Sequence, residues 1–367
     1  MSMGSSTKIS GRQAVFLITS TIFSTMVIFL PTFMIDIAKQ DAWLAVFPTA
    51  VLGIATGNIC ARLGERFPGK NIIEYAPSII GRLPGKAVGL IFITTFILLN
   101  SYIVREFAEI FLNIFMPETP MFIFIASILL VSSYTVLQGL EVLARANTIT
   151  LIFYVVIIFT IVSLNLPNYM LDNLTPVLEF GPGRVIGSTY PATVFFAEAY
   201  MITMLAPYLD KQRQGRAVVF WGVASAGFLL LVLMLAGLAA LKCEAGRTQF
   251  IALSLARRIS IGEFIERLDP LVMLMWMGGL LIKVTVFYYF TVTGLSSWLG
   301  TKGHKAFIIP VGIVLAFMAG YLWDNNIEFR YQLSAILPAV SVPIQLGVPL
   351  LLLIIALIRG KGSEKGN

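Results

Sequence analysis

The chain is dominated by a succession of charge-poor apolar runs, each about as long as a bilayer is thick. A membrane-spanning helix needs about 20 such residues. The runs that qualify are Gln13–Ile35, Ala42–Ala61, Ala87–Val104, Thr119–Leu140, Ala146–Leu171, Val185–Leu209, Ala217–Leu241, Pro270–Thr301, Ala306–Trp323 and Tyr331–Ile358. That makes ten, the third extending through Arg105, Glu106 and Glu109 to about Phe115. With 57% hydrophobic and only 12% charged residues, the composition excludes a soluble domain. The first run follows a short polar start without a small-residue cleavage site and reads as a retained span. The expectation is an all-α polytopic membrane protein with ten transmembrane helices.

The net charge of +7 does not point to nucleic acid, because Lys and Arg lie in short loops between apolar runs. Cytoplasmic loops collect such residues. Placing both termini in the cytoplasm puts Arg62, Arg66, Lys70, Arg82, Lys86, Arg145, Lys211, Arg213 and Arg216 on that side. Cys60 and Cys243 then fall on opposite sides, which argues against a disulfide between them. Two loops, around Arg66–Gly81 and Phe250–Ile265, alternate apolar and polar groups like short interfacial helices. Enzyme motifs are missing: His304 is the single histidine, and no P-loop, metal-ligand cluster or Cys–His pair occurs. No cofactor, metal or catalytic residue is expected.

Five runs from 9 to 171 are followed by five from 184 to 358 in a single transmembrane domain, and an odd number per half turns the second half upside down. Secondary transporters are often built this way, with discontinuous helices at equivalent places forming the site. Pro31 ends the first run as Pro207 ends the sixth, and Ser20 to Thr25 form a polar cluster in an otherwise apolar span. The sixth run also contains Pro191 and one carboxylate, Glu198, at mid-span. Hydrocarbon tolerates a broken helix or a buried acid only beside protein or a water-filled cavity. Glu198 therefore either locks two helices together or meets a ligand cation or a proton. Lys283, at mid-span in the eighth run beside Gly278 and Gly279, needs an anion: Glu198, Glu106 or a ligand carboxylate. Arg105 and Glu109, spaced i, i+4, can pair along one face as a structural tie or an outer-gate lock. Tyr102, Phe196, Tyr200, Phe287 and Tyr288 could line a small apolar pocket.

An ordered set of motifs resembles the spore germination permease family, the membrane-embedded B subunits of bacterial spore germinant receptors. The set is Ile9-Ser-Gly-Arg-Gln13, Pro68…Glu74-Tyr75…Gly81, Arg105…Glu109, Phe196-Ala-Glu198…Pro207, and the stretch from Glu266, Arg267 and Asp269 to Trp276. That family is similar to the amino acid–polyamine–organocation transporters. The resemblance implies a LeuT-like five-plus-five inverted repeat with discontinuous helices one and six. It also implies a ligand pocket formed by Ser24 with Thr25, Leu99 with Tyr102, Phe196 through Glu198 to Tyr200, and Lys283 with Phe287. Partners would be a small-molecule germinant, an amino acid first among them, the A-type and C-type receptor subunits, and the lipid of the spore inner membrane. The chain departs from the family in having Ser24-Thr25-Met26 where a glycine is common, and Lys283 where a small polar residue is expected. Three functions are consistent with this reading: a nutrient sensor, a proton-coupled amino acid transporter, and a structural scaffold subunit.

Overall fold

Ser10 opens the first helix: its hydroxyl accepts the amide of Gln13, whose side chain in turn accepts the Ser10 amide. This reciprocal cap satisfies two donors that a helix start leaves free. The motif at Ile9–Gln13 is thus a helix start. In a computed structural model describing residues 8–261, 265–266, 268–301 and 303–362, α1 then runs from Gly11 to Ala38. It is followed by α2 (Val46–Arg66), α3 (Ile72–Ile80), α4 (Arg82–Ile110), α5 (Met121–Gln138) and α6 (Leu140–Leu164). The second half has α7 (Pro182–Phe196), α8 (Ile202–Leu205), α9 (Gly215–Leu241), α10 (Ile251–Arg258), α11 (Asp269–Leu299) and α12 (Ile308–Tyr321). The chain closes with α13 (Asn326–Tyr331), α14 (Leu337–Val342) and α15 (Val348–Ile358). Among the described residues, seven stretches are long and apolar enough to cross a membrane, the first of them holding both α1 and α2.

α1 and α11 are the axis of the bundle. α1 packs on α9, α7, α11 and α6, while α11 packs on α4, α5 and α6. Both are buried along most of their length. The outer helices instead expose Phe47, Phe122, Leu130, Phe153, Ile309 and Phe317. A helix apolar all round belongs in a bundle centre, and exposed apolar faces of this extent belong in lipid.

The two expected discontinuous helices behave differently. α1 is unbroken, which corrects the expectation for the first span. Ser24 donates back to the Thr21 carbonyl and Thr19 to that of Val15, so these polar side chains satisfy themselves on the helix. Pro31, expected to end the run, sits inside α1; a proline removes one ladder bond, and the helix continues for seven residues past it to Ala38. Pro191 likewise lies inside α7 without ending it. The sixth span does change: after Phe196 the backbone tightens into 3-10 turns over Ala197–Met201 before α8. Pro207 lies in a further 3-10 turn, Ala206–Tyr208, where the segment ends. Mid-helix 3-10 turns of this kind often mark hinges.

The strand Ser260–Ile261 pairs with Ile265–Glu266, a small departure from an all-helical chain. The loop expected as a surface helix at Arg66–Gly81 contains α3, capped by Asn71 and Glu74. The second, at Phe250–Ile265, contains α10. Arg267 and the side chain of Glu266 lie outside the described residues, as does the side chain of Cys243. Asp269 opens α11 and binds Arg257 at 2.9 Å. Ile9 pairs with Leu209, its amide reaching the Tyr208 carbonyl and its carbonyl the Asp210 amide. The entry to α1 is thereby stitched to the exit of the sixth run.

Candidate functional site

Gly279 permits the approach that builds the site. A side chain there would overlap the Tyr154 hydroxyl and crowd Ser24, so α11 comes against α1 at the level of the Ser20–Thr25 cluster. Lys283, one turn further along α11, then reaches Thr25 Oγ1 at 2.5 Å and Glu198 Oε1 at 2.7 Å. The lysine and glutamate are 1% and 5% exposed, and the ammonium is flanked by the rings of Phe195 and Phe287, each 5.9 Å away. Removing two charges from water is costly, and only close pairing with further hydrogen bonds offsets it. Of the three anions open to Lys283 in the sequence, it takes Glu198.

Glu198 enters this contact from the tightened turn Ala197–Met201. Two residues on, Tyr200 stacks on Phe96 at 5.3 Å, and Phe96 touches Phe287 at 5.6 Å. Thr25, Glu198, Tyr200, Lys283 and Phe287 thus form one connected cluster. Several buried polar atoms nearby in the sequence pattern have no protein partner: Ser20 Oγ, Thr21 Oγ1, Glu198 Oε2 and the Tyr200 hydroxyl. Such atoms are rare in a protein interior and ask for a ligand, a proton or water.

Other expected members point elsewhere. Phe196 faces away, its backbone and Cβ against Gly53 of α2 and its ring toward Gly227 of α9. Phe195, its neighbour about 100° round the helix, stands by Lys283 instead. Ser24 bonds within α1 and lies beside Gly279. Leu99 is buried on α4. Tyr102, one turn along, hydrogen-bonds Gln332 and lies 5.3 Å from the Trp323 ring. Arg105 binds Glu109 at 2.9 Å and donates to the carbonyls of Ala319 and Gly320 in the last turn of α12 and of Trp323 just beyond it. The Trp323 indole also donates to Glu109, at 2.7 Å. A cation at a helix C-terminus is favourable, so this is a tie between α4 and α12. Glu109 also lines a cavity of about 270 Å³, with Phe29, Thr32, Phe33, Arg247 and Arg330, among others.

Sequence reasoning did not select Glu106 for the site. It is 3% exposed, and its Oε2 has no hydrogen-bond partner. The signal available was its spacing: residues 99, 102, 106 and 109–110 form one face of α4.

The fold and this buried charge cluster define a class, a multi-pass membrane protein with the architecture of a solute transporter. Across 97% of its length the chain superposes on 99% of MhsT in complex with L-phenylalanine, with TM-score 0.69 and 11% identity. A Na+-coupled sialic acid symporter matches 90% of the chain, over 77% of its own, with TM-score 0.60 and 14% identity. Residues 8–327 match the model of the spore germination protein family, the spore permeases, and the chain belongs to that family. Spore germination protein KB of Bacillus subtilis (strain 168) is 27% identical over 90% of this chain and 91% of its own length. Spore germination protein YndE of the same organism is 26% identical over 97% and 98%. Family and fold mark a receptor or transporter, not an enzyme.

Proposed function

We propose that the chain is the nutrient-sensing membrane subunit of a spore germinant receptor, in the spore inner membrane with both termini cytoplasmic. Its ten spans would be the seven apolar stretches, the first counted as two, together with 182–208 and 305–321. The halves 9–171 and 184–358 are read as inverted repeats of one transmembrane domain, a reading supported by the transporter fold. A small metabolite, an amino acid first among the candidates, binds between α1, α4, the bend at Ala197–Met201 and α11. A-type and C-type subunits then read the resulting shift between arrangements. A ligand biases such an equilibrium only by its difference in affinity between the states.

One observation carries this reading: a buried Lys283–Glu198 pair at a tightened turn, Ala197–Met201, of a membrane-embedded segment. An intramembrane ion pair at a helix break is expensive and is found where substrates or ions are handled. The pair leaves Glu198 Oε2 free to accept from a ligand, and Thr25, Tyr200 and Phe287 stand beside it. Spores carrying Glu198→Gln, with the protein's abundance checked by immunoblot, should lose or re-tune their germinant dose-response. An unchanged response overturns the assignment.

The near-complete superposition on MhsT favours a second reading, proton-coupled amino acid uptake. Labelled amino acid accumulating in vesicles under a pH gradient, without partner subunits, selects it over sensing.

A further inference from the structure

The buried charged side chains of the described residues are Asp41, Arg105, Glu106, Glu198 and Lys283. Four are engaged. Asp41 accepts the Leu178 amide at 2.8 Å, Arg105 holds Glu109 and the end of α12, and Lys283 holds Glu198. Glu106 is left over, its Oε2 without a donor. The charges that act on it are those of Lys283, Glu198 and Glu109. Lys283 is already committed to Glu198 and Arg105 to Glu109, so Glu106 is a buried carboxyl group with no cation of its own.

Its place on α4 gives this carboxyl a direction. Glu109 and Ile110, which line the 270 Å³ cavity, follow Glu106 by three and four residues and so lie one turn along the same face. Leu99 and Tyr102 lie on that face in the other direction. On α1, Phe29 and Thr32 line the cavity while Thr25, one turn before Phe29, touches Lys283. By this register Glu106 on α4 and Thr25 on α1 each stand one turn from the residues that line the cavity, on the side toward the buried ion pair.

We propose that Glu106 is the residue that receives the ligand's ammonium group, with the free oxygen of Glu198 as its second acceptor. The site accordingly selects compounds with a protonated nitrogen over isosteric neutral or purely anionic ones. A cation at this position balances the unmatched carboxylate without breaking the Lys283–Glu198 pair, whereas a ligand without one leaves it bare. Carboxylates without cationic or hydrogen-bonding partners are strongly disfavoured at this depth. This rests on the ligand-binding reading above and adds a residue and a ligand class to it.

The test is calorimetric binding of the standard L-amino acids to purified protein, each beside its 2-hydroxy acid, for wild type, Glu106→Gln and Glu106→Asp. Melting temperature checks that each variant is folded. Wild type should prefer an amino acid over its hydroxy acid. Glu106→Gln should lower that preference roughly ten- to a hundred-fold, the worth of a charge-assisted hydrogen bond, with hydroxy-acid affinity little changed. Glu106→Asp should retain part of it. A folded Glu106→Gln that keeps the full preference overturns the proposal, as does one whose sole change is in proton uptake. Should Glu106→Gln fail to fold, an unreduced preference in Glu106→Asp overturns it. If wild type binds none of these compounds, the sensing reading fails first, and this one with it.

Discussion

The Tyr154 hydroxyl of α6 fills the space that a Cβ on Gly279 of α11 would occupy, so these two residues set how closely α11 lies against α6 and α1. Gly279→Ala forces the phenol or the helix to move. Overpacking of this kind costs about 1–3 kcal/mol, read as a lower melting temperature in detergent. Adding Tyr154→Ala should recover part of the loss. Gly320→Ala, where a Cβ meets open space, should leave the melting temperature nearly unchanged.

Lys283→Met strands Glu198 without its cation. Breaking a buried pair on one side costs about 3–5 kcal/mol, whereas removing both charges is often neutral. The double variant Lys283→Met with Glu198→Gln should therefore melt higher than Lys283→Met alone. Additive losses would show that the two side chains do not depend on each other.

Arg105→Lys keeps the charge but cannot reproduce the guanidinium's fork over Glu109 and three carbonyls. A loss of about 1.5–3 kcal/mol is expected from hydrogen bonds to a charged group. The released end of α12 should exchange its amide hydrogens faster over 317–323, and α5 should not.

His304 lies between α11 and α12 and packs edge-on to Tyr289 at 5.5 Å. Burial pushes its pKa below the ordinary 6.5, a hydrogen bond to the Val136 backbone opposes this, and Lys305 adds to it. The folded chain thus favours the neutral ring. Its contribution to stability is complete above the unfolded value near 6.5 and is lost as pH falls through the folded value. Melting temperature should drop from pH 7 to pH 5 more steeply in wild type than in His304→Gln.

Much of the architecture was readable because apolar length is a one-dimensional property. The expected run at 217–241 is α9 from Gly215 to Leu241, and that at 270–301 is α11 from Asp269 to Leu299. Lys283 and Glu198 were readable because a mid-span charge has few places to go. Facing was harder. Phe195 and Phe196 are adjacent letters, and only the rotation of α7 gives the first to Lys283 and the second to Gly53 and Gly227. Pro31 was misleading for a related reason. A proline removes one ladder bond, and in α1 the bonds on either side carry the helix past it to Ala38. Glu106 was legible only as one of three possible anions for Lys283; with Arg105 spent on Glu109 and α12, and Lys283 on Glu198, it is the carboxyl left without a partner.

The seam joining Ile9 to Tyr208 and Asp210 pins one end of a rod that carries Thr25 near its middle. A rod so fastened is a lever with its fulcrum at that rim. If α1 moved as such a lever, a displacement at Thr25 would be larger at Asp36 than at Gly11. On the proposed binding reading, the shift would be read at the rim of Asp36 rather than at the seam of Ile9 with Tyr208 and Asp210.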